Sequence, residues 1–164
     1  MIPEIKKILY TTDLSETSNF AFSYAASLAN RYDAKITILH VITDSMSTSE
    51  NLVSNVLGED KWKKLLDKNK THIVEKISRR LENFCDEQKA ALPSCPFMMN
   101  EVIVRIGSPV EEIIGEVDKN NYDVVVMSAR GHGALADAVM GSVSRRVIRR
   151  CSKPVLLVRL PKSE

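Results

Sequence analysis

The chain has 164 residues, of which 44% are hydrophobic, and these values are typical of one compact domain, so we predict a single domain over residues 1–164. Its 23 lysines and arginines nearly balance 21 aspartates and glutamates, and a formal charge of +2 argues against polyanion binding driven by overall charge. No apolar run approaches the ~20 residues of a membrane helix and no signal-peptide pattern starts the chain, so we expect a soluble cytoplasmic protein. The three cysteines form no CxxC pair, so we expect neither disulfides nor zinc.

The first half of the chain predicts strands and helices in alternation. Ile5–Tyr10 is a short apolar run that favours a strand, and alanines at helical spacing predict a helix over Glu16–Tyr32. Ala34–Ile42 is too apolar for an exposed strand and is typical of a buried one. Thr43–Ser54, rich in Ser and Thr, predicts a surface loop or a short irregular helix. From Lys61 to about Ala90, apolar residues at helical spacing among charged ones predict a long amphipathic helix.

The second half continues this alternation. Further strands are predicted at Glu101–Ile106, Tyr122–Met127 and Val155–Leu160. One further helix is predicted from Pro109 to about Asn120, with Ser108 as its N-cap, and another over Val143–Arg150. Five strands separated by helices predict the α/β class, an open, doubly wound and mostly parallel sheet covered by helices on both faces. In such sheets ligands bind beyond the carboxyl ends of the strands, where the strand order reverses.

A glycine-rich segment follows the predicted fourth strand. Residues 131–136 fit the G-x-G-x-x-A form of the dinucleotide fingerprint, but that fingerprint belongs after a first strand and needs an acidic residue about 20 positions on, where this chain has Arg149 and Arg150. A nicotinamide enzyme is therefore disfavoured. Instead, Gly131 is followed by nine residues and then by Gly141 and Ser142 at the start of a predicted helix. This arrangement suits a bound phosphate, although turn glycines and a serine N-cap would give the same pattern.

Six segments of the chain together resemble the universal stress protein family, and the resemblance runs from Lys6 to Arg159. They are Ile8–Glu16, Ile36–Val41, Gly107–Pro109, Val124–Gly131, Gly141–Ser144 and Lys153–Val158. The resemblance implies a Rossmann-like sheet of the adenine nucleotide α-hydrolase kind. The ATP-binding branch of the family is marked by a glycine, two residues, a second glycine, nine residues and a third glycine followed by Ser or Thr. Gly131, Gly141 and Ser142 match this spacing, whereas Ser128 replaces the first glycine and lacks its freedom to take positive φ.

The resemblance also implies which residues surround a nucleotide. Asp13 would face the ribose, the Val41 backbone would meet the adenine, and residues between Ser128 and Ser144 would surround ribose and phosphates. The complete predicted site is Thr11, Thr12, Asp13, Val41, Met127, Ser128, Arg130, Gly131, His132, Gly141, Ser142, Val143 and Ser144. The residues themselves allow a second interpretation of Asp13, because Glu16 stands three positions later and the pair fits a helix capping box.

From the resemblance we expect a universal stress protein that binds ATP, alone or with Mg²⁺ or Mn²⁺, and acts as a nucleotide-dependent switch in the stress response. Enzymatic turnover is not expected, because the sequence shows no placed base or water-orienting set for ATP hydrolysis. Two alternatives stay open. One is a stress protein that binds no nucleotide and works through protein contacts; the other is a slow ATPase, or a protein that autophosphorylates on Ser142 or Ser144.

The expected partners are a second copy of the chain and an unidentified protein. Members of the family commonly form homodimers through the last strand, and we expect the same of Val155–Leu160, an apolar strand that comes last and favours an unpaired sheet edge. The cluster Arg145, Arg146, Arg149 and Arg150 suggests nucleic-acid binding. With an aromatic content of only 5%, however, the chain has few side chains for base stacking, so neither a nucleic-acid nor a membrane partner is expected.

Overall fold

The computed structural model describes residues 1–43, 58–131 and 140–161. Five strands lie in these ranges: β1 (Lys7–Thr12), β2 (Lys35–Thr43), β3 (Met98–Gly107), β4 (Val124–Ser128) and β5 (Val155–Val158). They also contain four helices: α1 (Glu16–Tyr32), α2 (Glu59–Ala91), α3 (Pro109–Asn120) and α4 (Ser142–Arg150). The predicted loop at Thr43–Ser54 falls outside the described residues except for Thr43, which ends β2.

The strands form one parallel sheet in the order β3-β2-β1-β4-β5. β1 is central, and its Ile8 lies opposite Ile36 of β2 on one side and Val124 of β4 on the other. From β1 the chain builds outward through β2 to β3 and then crosses to β4, so the strand order reverses between β1 and β4. The α/β prediction is confirmed, and the reversal fixes where a ligand is expected.

Alternation along the strands produces two cores, one on each face of the sheet. On the first face the Phe22 ring of α1 lies 5.2 Å from Tyr10, 5.1 Å from Phe84 and 5.2 Å from Phe97, all edge to face. The Tyr10 hydroxyl donates to the Ser18 carbonyl at 2.6 Å, and burial raises the pKa of this phenol. The buried alanines of α1 let the helix lie close to the sheet, as its composition predicts.

The second face packs α3 and α4 against the same strands. Its core consists of Leu9, Leu39, Val110, Ile113, Ile114, Val117, Tyr122, Val125, Met127 and Val147. α4 contributes Val147, which is fully buried, while its four arginines are exposed. The helix is therefore attached by a narrow apolar stripe that starts at its first turn, beside the carboxyl ends of β1 and β4.

The predicted strand bounds differ from the observed ones by up to three residues, and the largest difference is at β3, which starts at Met98 and not at Glu101. β1 starts at Lys7 and ends at Thr12, two residues later than predicted, because parallel pairing with β2 extends through both threonines. β5 ends at Val158, not Leu160, because Val158 lies opposite Ser128, the last residue of β4, and Leu160 has no partner strand among the described residues. Local composition does not reveal where a neighbouring strand stops.

α2 has 33 residues and is about 50 Å long. Among the side chains of α2 that the structure describes, those that join the core lie in its second half: Ile77, Leu81, Phe84 and Cys85. The predicted long helix is present, but in its first half two of the apolar residues at helical spacing, Leu65 and Ile73, are 44% exposed. None of the helices in the described ranges combines the length and apolar character needed to cross a membrane.

Candidate functional site

A cleft of about 610 Å³ opens at the carboxyl ends of β1, β2 and β4, where the strand order reverses. All the predicted site residues within the described ranges line it: Thr11, Thr12, Asp13, Val41, Met127, Ser128, Arg130, Gly131, Gly141, Ser142, Val143 and Ser144. His132, the other predicted residue, lies outside the described residues. The cleft is also lined by Leu39, His40, Ile42, Thr43, Pro109, Ile113 and Met140.

Asp13 stands in a tight turn between β1 and α1. One of its carboxylate oxygens, Oδ1, accepts hydrogen bonds from the Ser15 amide at 3.1 Å and from the Ser15 hydroxyl at 2.5 Å. Leu14 between them adopts the left-handed conformation, with φ of 67°, and its amide donates to Thr12 Oγ1 at 3.0 Å. A non-glycine residue in this region is strained, and here it brings the carboxylate back onto Ser15 at the mouth of the cleft.

The capping-box interpretation of Asp13 and Glu16 is wrong. The N-cap of α1 is Ser15, whose side chain accepts a hydrogen bond from the Ser18 amide. Asp13 lies two residues before the N-cap and holds Ser15 in place.

Gly131 lies directly against Asp13. A Cβ built on Gly131 would be 2.0 Å from Asp13 Oδ2 and 3.0 Å from its Cγ, far inside van der Waals contact. No side chain can occupy this position while Asp13 keeps its place. A side chain at 131 would therefore displace the Asp13 carboxylate even without a ligand in the cleft.

The backbone of Ala129 connects β4 with β5 and α4. Its amide donates to the Val158 carbonyl at 2.8 Å, and its carbonyl accepts from the Gly141 amide at 2.7 Å and from the Ser144 hydroxyl at 2.8 Å. Gly141 is the N-cap of α4, so Ser142 is the first residue of the helix and not its cap. These contacts hold the N-terminus of α4, where the first amides have no carbonyl partner within the helix, at the end of β4 beside the cleft.

Ser128 occupies the place of the missing first glycine without backbone strain. Among the described non-glycine residues, only Leu14, Asp33 and Asn121 have positive φ, so the freedom that glycine would provide is not used at Ser128. Its hydroxyl donates to the Arg130 carbonyl at 2.7 Å and closes the turn that leads to Gly131.

An apolar wall lines the cleft together with these polar groups. Leu39, Ile113 and Met127 are at most 5% exposed, and they line the cleft together with Val143. Sequence reasoning missed Ile113, because its helical spacing with Val110 and Val117 predicts only a core position. The sequence pattern also does not predict where α3 lies relative to the cleft.

A buried carboxylate ties α3 to the edge strand β3. Glu116, 1% exposed, accepts from the Arg105 guanidinium at 2.5 Å, from Asn120 at 2.8 Å and from the Tyr122 hydroxyl at 2.9 Å. Burial raises the pKa of Tyr122 to about 12, so the phenol remains a donor at neutral pH. This network sets the position of α3, whose Pro109 and Ile113 line the cleft.

His40 lies under the cleft, 9% exposed, with Nδ1 2.8 Å from the Thr12 carbonyl. Its burial and this contact with β1 indicate a structural role for His40. Among the described residues that line the cleft, Asp13 is the only acidic one. Within those residues, no three His, Cys, Asp or Glu side chains come close enough together to hold a metal ion.

The arginine cluster of α4 points away from the core. Arg150 forms a two-point ion pair with Glu111 of α3, and the hydrogen bond from Arg150 lowers the pKa of this carboxyl. Arg145, Arg146 and Arg149 are exposed. One of the four arginines therefore links α4 to α3.

The chain matches the model of the universal stress protein family over residues 4–159. Universal stress protein MJ0531 of Methanocaldococcus jannaschii is 31% identical over an alignment of 168 positions, which covers 97% of this chain and 85% of that protein. Universal stress protein MJ0577 of the same organism is 29% identical over 154 residues, 94% of each chain.

Solved structures show the same fold. The structure of MJ0577 has a TM-score of 0.76 and 27% identity, and the likeness covers 98% of this chain and 100% of that chain. A universal stress protein solved in complex with cAMP has a TM-score of 0.62 and 22% identity, with 95% and 98% of the two chains covered. At that identity the likeness to the cAMP complex extends to the fold alone.

Proposed function

Because the chain belongs to the universal stress protein family, we propose that its cleft binds an adenine nucleotide, with ATP as the expected ligand, and that the protein acts as a nucleotide-dependent regulator of the stress response. The observation that carries this proposal is the composition of one cleft at the reversal of strand order. A carboxylate, a helix N-terminus and a buried apolar wall face the same space of about 610 Å³. Pockets of this size hold ligands of cofactor size.

Each part of the cleft suits one part of a nucleotide. Asp13 lines the cleft, and its carboxylate suits the ribose, because a carboxylate is a strong acceptor for hydrogen bonds from hydroxyl groups. The apolar wall with Ile113 and Met127 suits a purine ring. The first amides of α4 and the Arg130 guanidinium suit phosphates, because both favour negative charge. We call the part of the cleft formed by residues 128–131 and the first turn of α4 its phosphate end.

The structures of related proteins support an adenine ligand in general terms. A universal stress protein with this fold is known in complex with cAMP, an adenine nucleotide. The present cleft contains the Asp13 carboxylate. It is also lined by Gly131 and Gly141, which have the spacing that the family resemblance implies. Since no three metal-ligating side chains come together among the described residues, Mg²⁺ or Mn²⁺ would enter chiefly through the phosphates of the nucleotide.

Self-association through β5 is part of the same proposal. β5 is an edge of the sheet and pairs with β4 alone among the described strands. Val155, Leu156 and Leu157 are half-buried, and an unpaired apolar edge favours pairing with another strand. The Ala129 amide, which donates to Val158, links this edge to the phosphate end.

Calorimetric titration of ATP into protein stripped of nucleotide, with and without Mg²⁺, tests the binding proposal. Asp13→Asn keeps the shape of the side chain and removes the charge, so ATP affinity should fall roughly 10- to 100-fold, the equivalent of a charged hydrogen bond. Asp33→Asn is the matched control, since Asp33 is exposed at the C-cap of α1, outside the residues that line the cleft. If the unmodified protein binds no adenine nucleotide, or if both variants behave alike, the proposal is wrong.

A further inference from the structure

Two serine hydroxyls at the phosphate end are bonded to backbone carbonyls of the same segment. Ser128 Oγ donates to the Arg130 carbonyl at 2.7 Å, and Ser144 Oγ donates to the Ala129 carbonyl at 2.8 Å. Two consecutive carbonyls are thus each paired with a hydroxyl inside the protein. The Gly141 carbonyl, 3.1 Å from Ser144 Oγ, is a second acceptor for the same hydroxyl.

A serine hydroxyl carries one proton, and phosphate oxygens only accept hydrogen bonds at neutral pH. The proton of Ser128 is used by Arg130, and that of Ser144 is shared between Ala129 and Gly141. Ser144 is also only 3% exposed. To donate to a phosphate, each hydroxyl would have to release a carbonyl next to the ligand, and that carbonyl would repel the phosphate charge.

We propose that Ser128 and Ser144 are positioning residues of the nucleotide site: their hydroxyls fix the backbone at 129–130 and the start of α4, and neither contacts the nucleotide. This inference rests on the proposed function. Ser144 and the Gly141 amide bind the same Ala129 carbonyl, so together they fix the N-terminus of α4 relative to β4. Ser128 sets the turn that delivers Gly131 to Asp13.

The inference gives Ser128 a role that glycine could not fill. A glycine at 128 would remove the hydroxyl that holds the Arg130 carbonyl and would add backbone freedom, while no positive φ at this position requires it. Restoring the family's glycine by Ser128→Gly should therefore weaken nucleotide binding in this chain.

The test compares Ser128→Ala, Ser128→Gly, Ser128→Thr and Ser144→Ala with Ser23→Ala. Ser23 is the matched control, because its hydroxyl donates to the Phe20 carbonyl at 2.7 Å within α1, outside the cleft lining. ATP affinity is measured by calorimetry, and exchange of the Gly141 amide is measured by NMR in the nucleotide-free protein. We expect roughly three- to tenfold weaker ATP binding for the two alanine variants and for Ser128→Gly, the equivalent of one neutral hydrogen bond each. Ser128→Thr keeps a hydroxyl at this position and should bind ATP as tightly as the unmodified protein. Ser23→Ala should leave ATP affinity unchanged.

Exchange of the Gly141 amide should accelerate in nucleotide-free Ser144→Ala. The Ala129 carbonyl accepts the hydrogen bond from this amide, and in the variant the carbonyl is no longer held by the Ser144 hydroxyl. Weaker ATP binding without that acceleration would indicate a direct phosphate contact and overturn the inference. So would a loss of stability with unchanged affinity, or Ser128→Gly binding ATP as tightly as the unmodified protein. If the unmodified protein binds no ATP, the proposed function fails first and the inference fails with it, whereas normal binding with unaffected variants overturns the inference alone.

Discussion

Replacing Gly131 by alanine should disable the cleft through Asp13. The added Cβ would lie 2.0 Å from Asp13 Oδ2, so either the carboxylate or the backbone at 131 must move by more than 1 Å to reach ordinary contact at about 3.4 Å. The carboxylate is held by the amide and hydroxyl of Ser15, the N-cap of α1. Hydrogen bonds to a charged group contribute roughly 1.5–3 kcal/mol each, so losing one should lower the free energy of unfolding by about that amount.

The same displacement removes the proposed ribose acceptor, and ATP affinity should fall at least roughly tenfold, since 1.4 kcal/mol corresponds to a factor of ten. Gly115→Ala is the matched control: Gly115 lies within α3 with no heavy atom within 4 Å of its built Cβ. There the change should stabilise the protein by about 0.5–1 kcal/mol through helix propensity. Urea unfolding and calorimetry measure both quantities. If Gly131→Ala matches Gly115→Ala in stability and retains ATP affinity, the steric reasoning is refuted.

Three further predictions follow from individual contacts. Gly141→Ala should change the free energy of unfolding by less than about 1 kcal/mol, because the added Cβ would meet the Ala129 carbonyl at an ordinary 3.4 Å. It should nevertheless weaken ATP binding measurably. A large loss of stability by urea unfolding would contradict this prediction. Burial raises the pKa of the Cys85 thiol from 9.0 to about 11, so the unfolded chain ionises first and stability should fall as pH rises from about 9 to about 11, with a smaller slope in Cys85→Ala than in the unmodified protein. Sedimentation at micromolar concentration should show a dimer, and a monomer there would count against pairing through β5.

Local patterns were sufficient to predict the architecture. Apolar runs, helical spacing and turn residues identified the five strands and four helices of the described ranges, because these signals depend on residues close together in the chain. They also directed attention to the ends of β1, β2 and β4, since the carboxyl edge of a doubly wound sheet is set by the connections alone. The family model confirms this fold class and the family itself. Boundaries such as the end of β5 at Val158 were missed, because they depend on where the neighbouring strand stops.

The sequence by itself therefore determined the fold class, the family and the group of residues around the cleft. Only the tertiary structure decided what each residue does there. It showed that a side chain at Gly131 would clash with Asp13, that Ser15 and not Asp13 caps α1, and that Ser128 does not have positive φ. It also added Ile113 to the cleft wall. The physical reason is that steric contacts and hydrogen bonds depend on distances between segments remote in the chain, and periodicity carries no information about those distances.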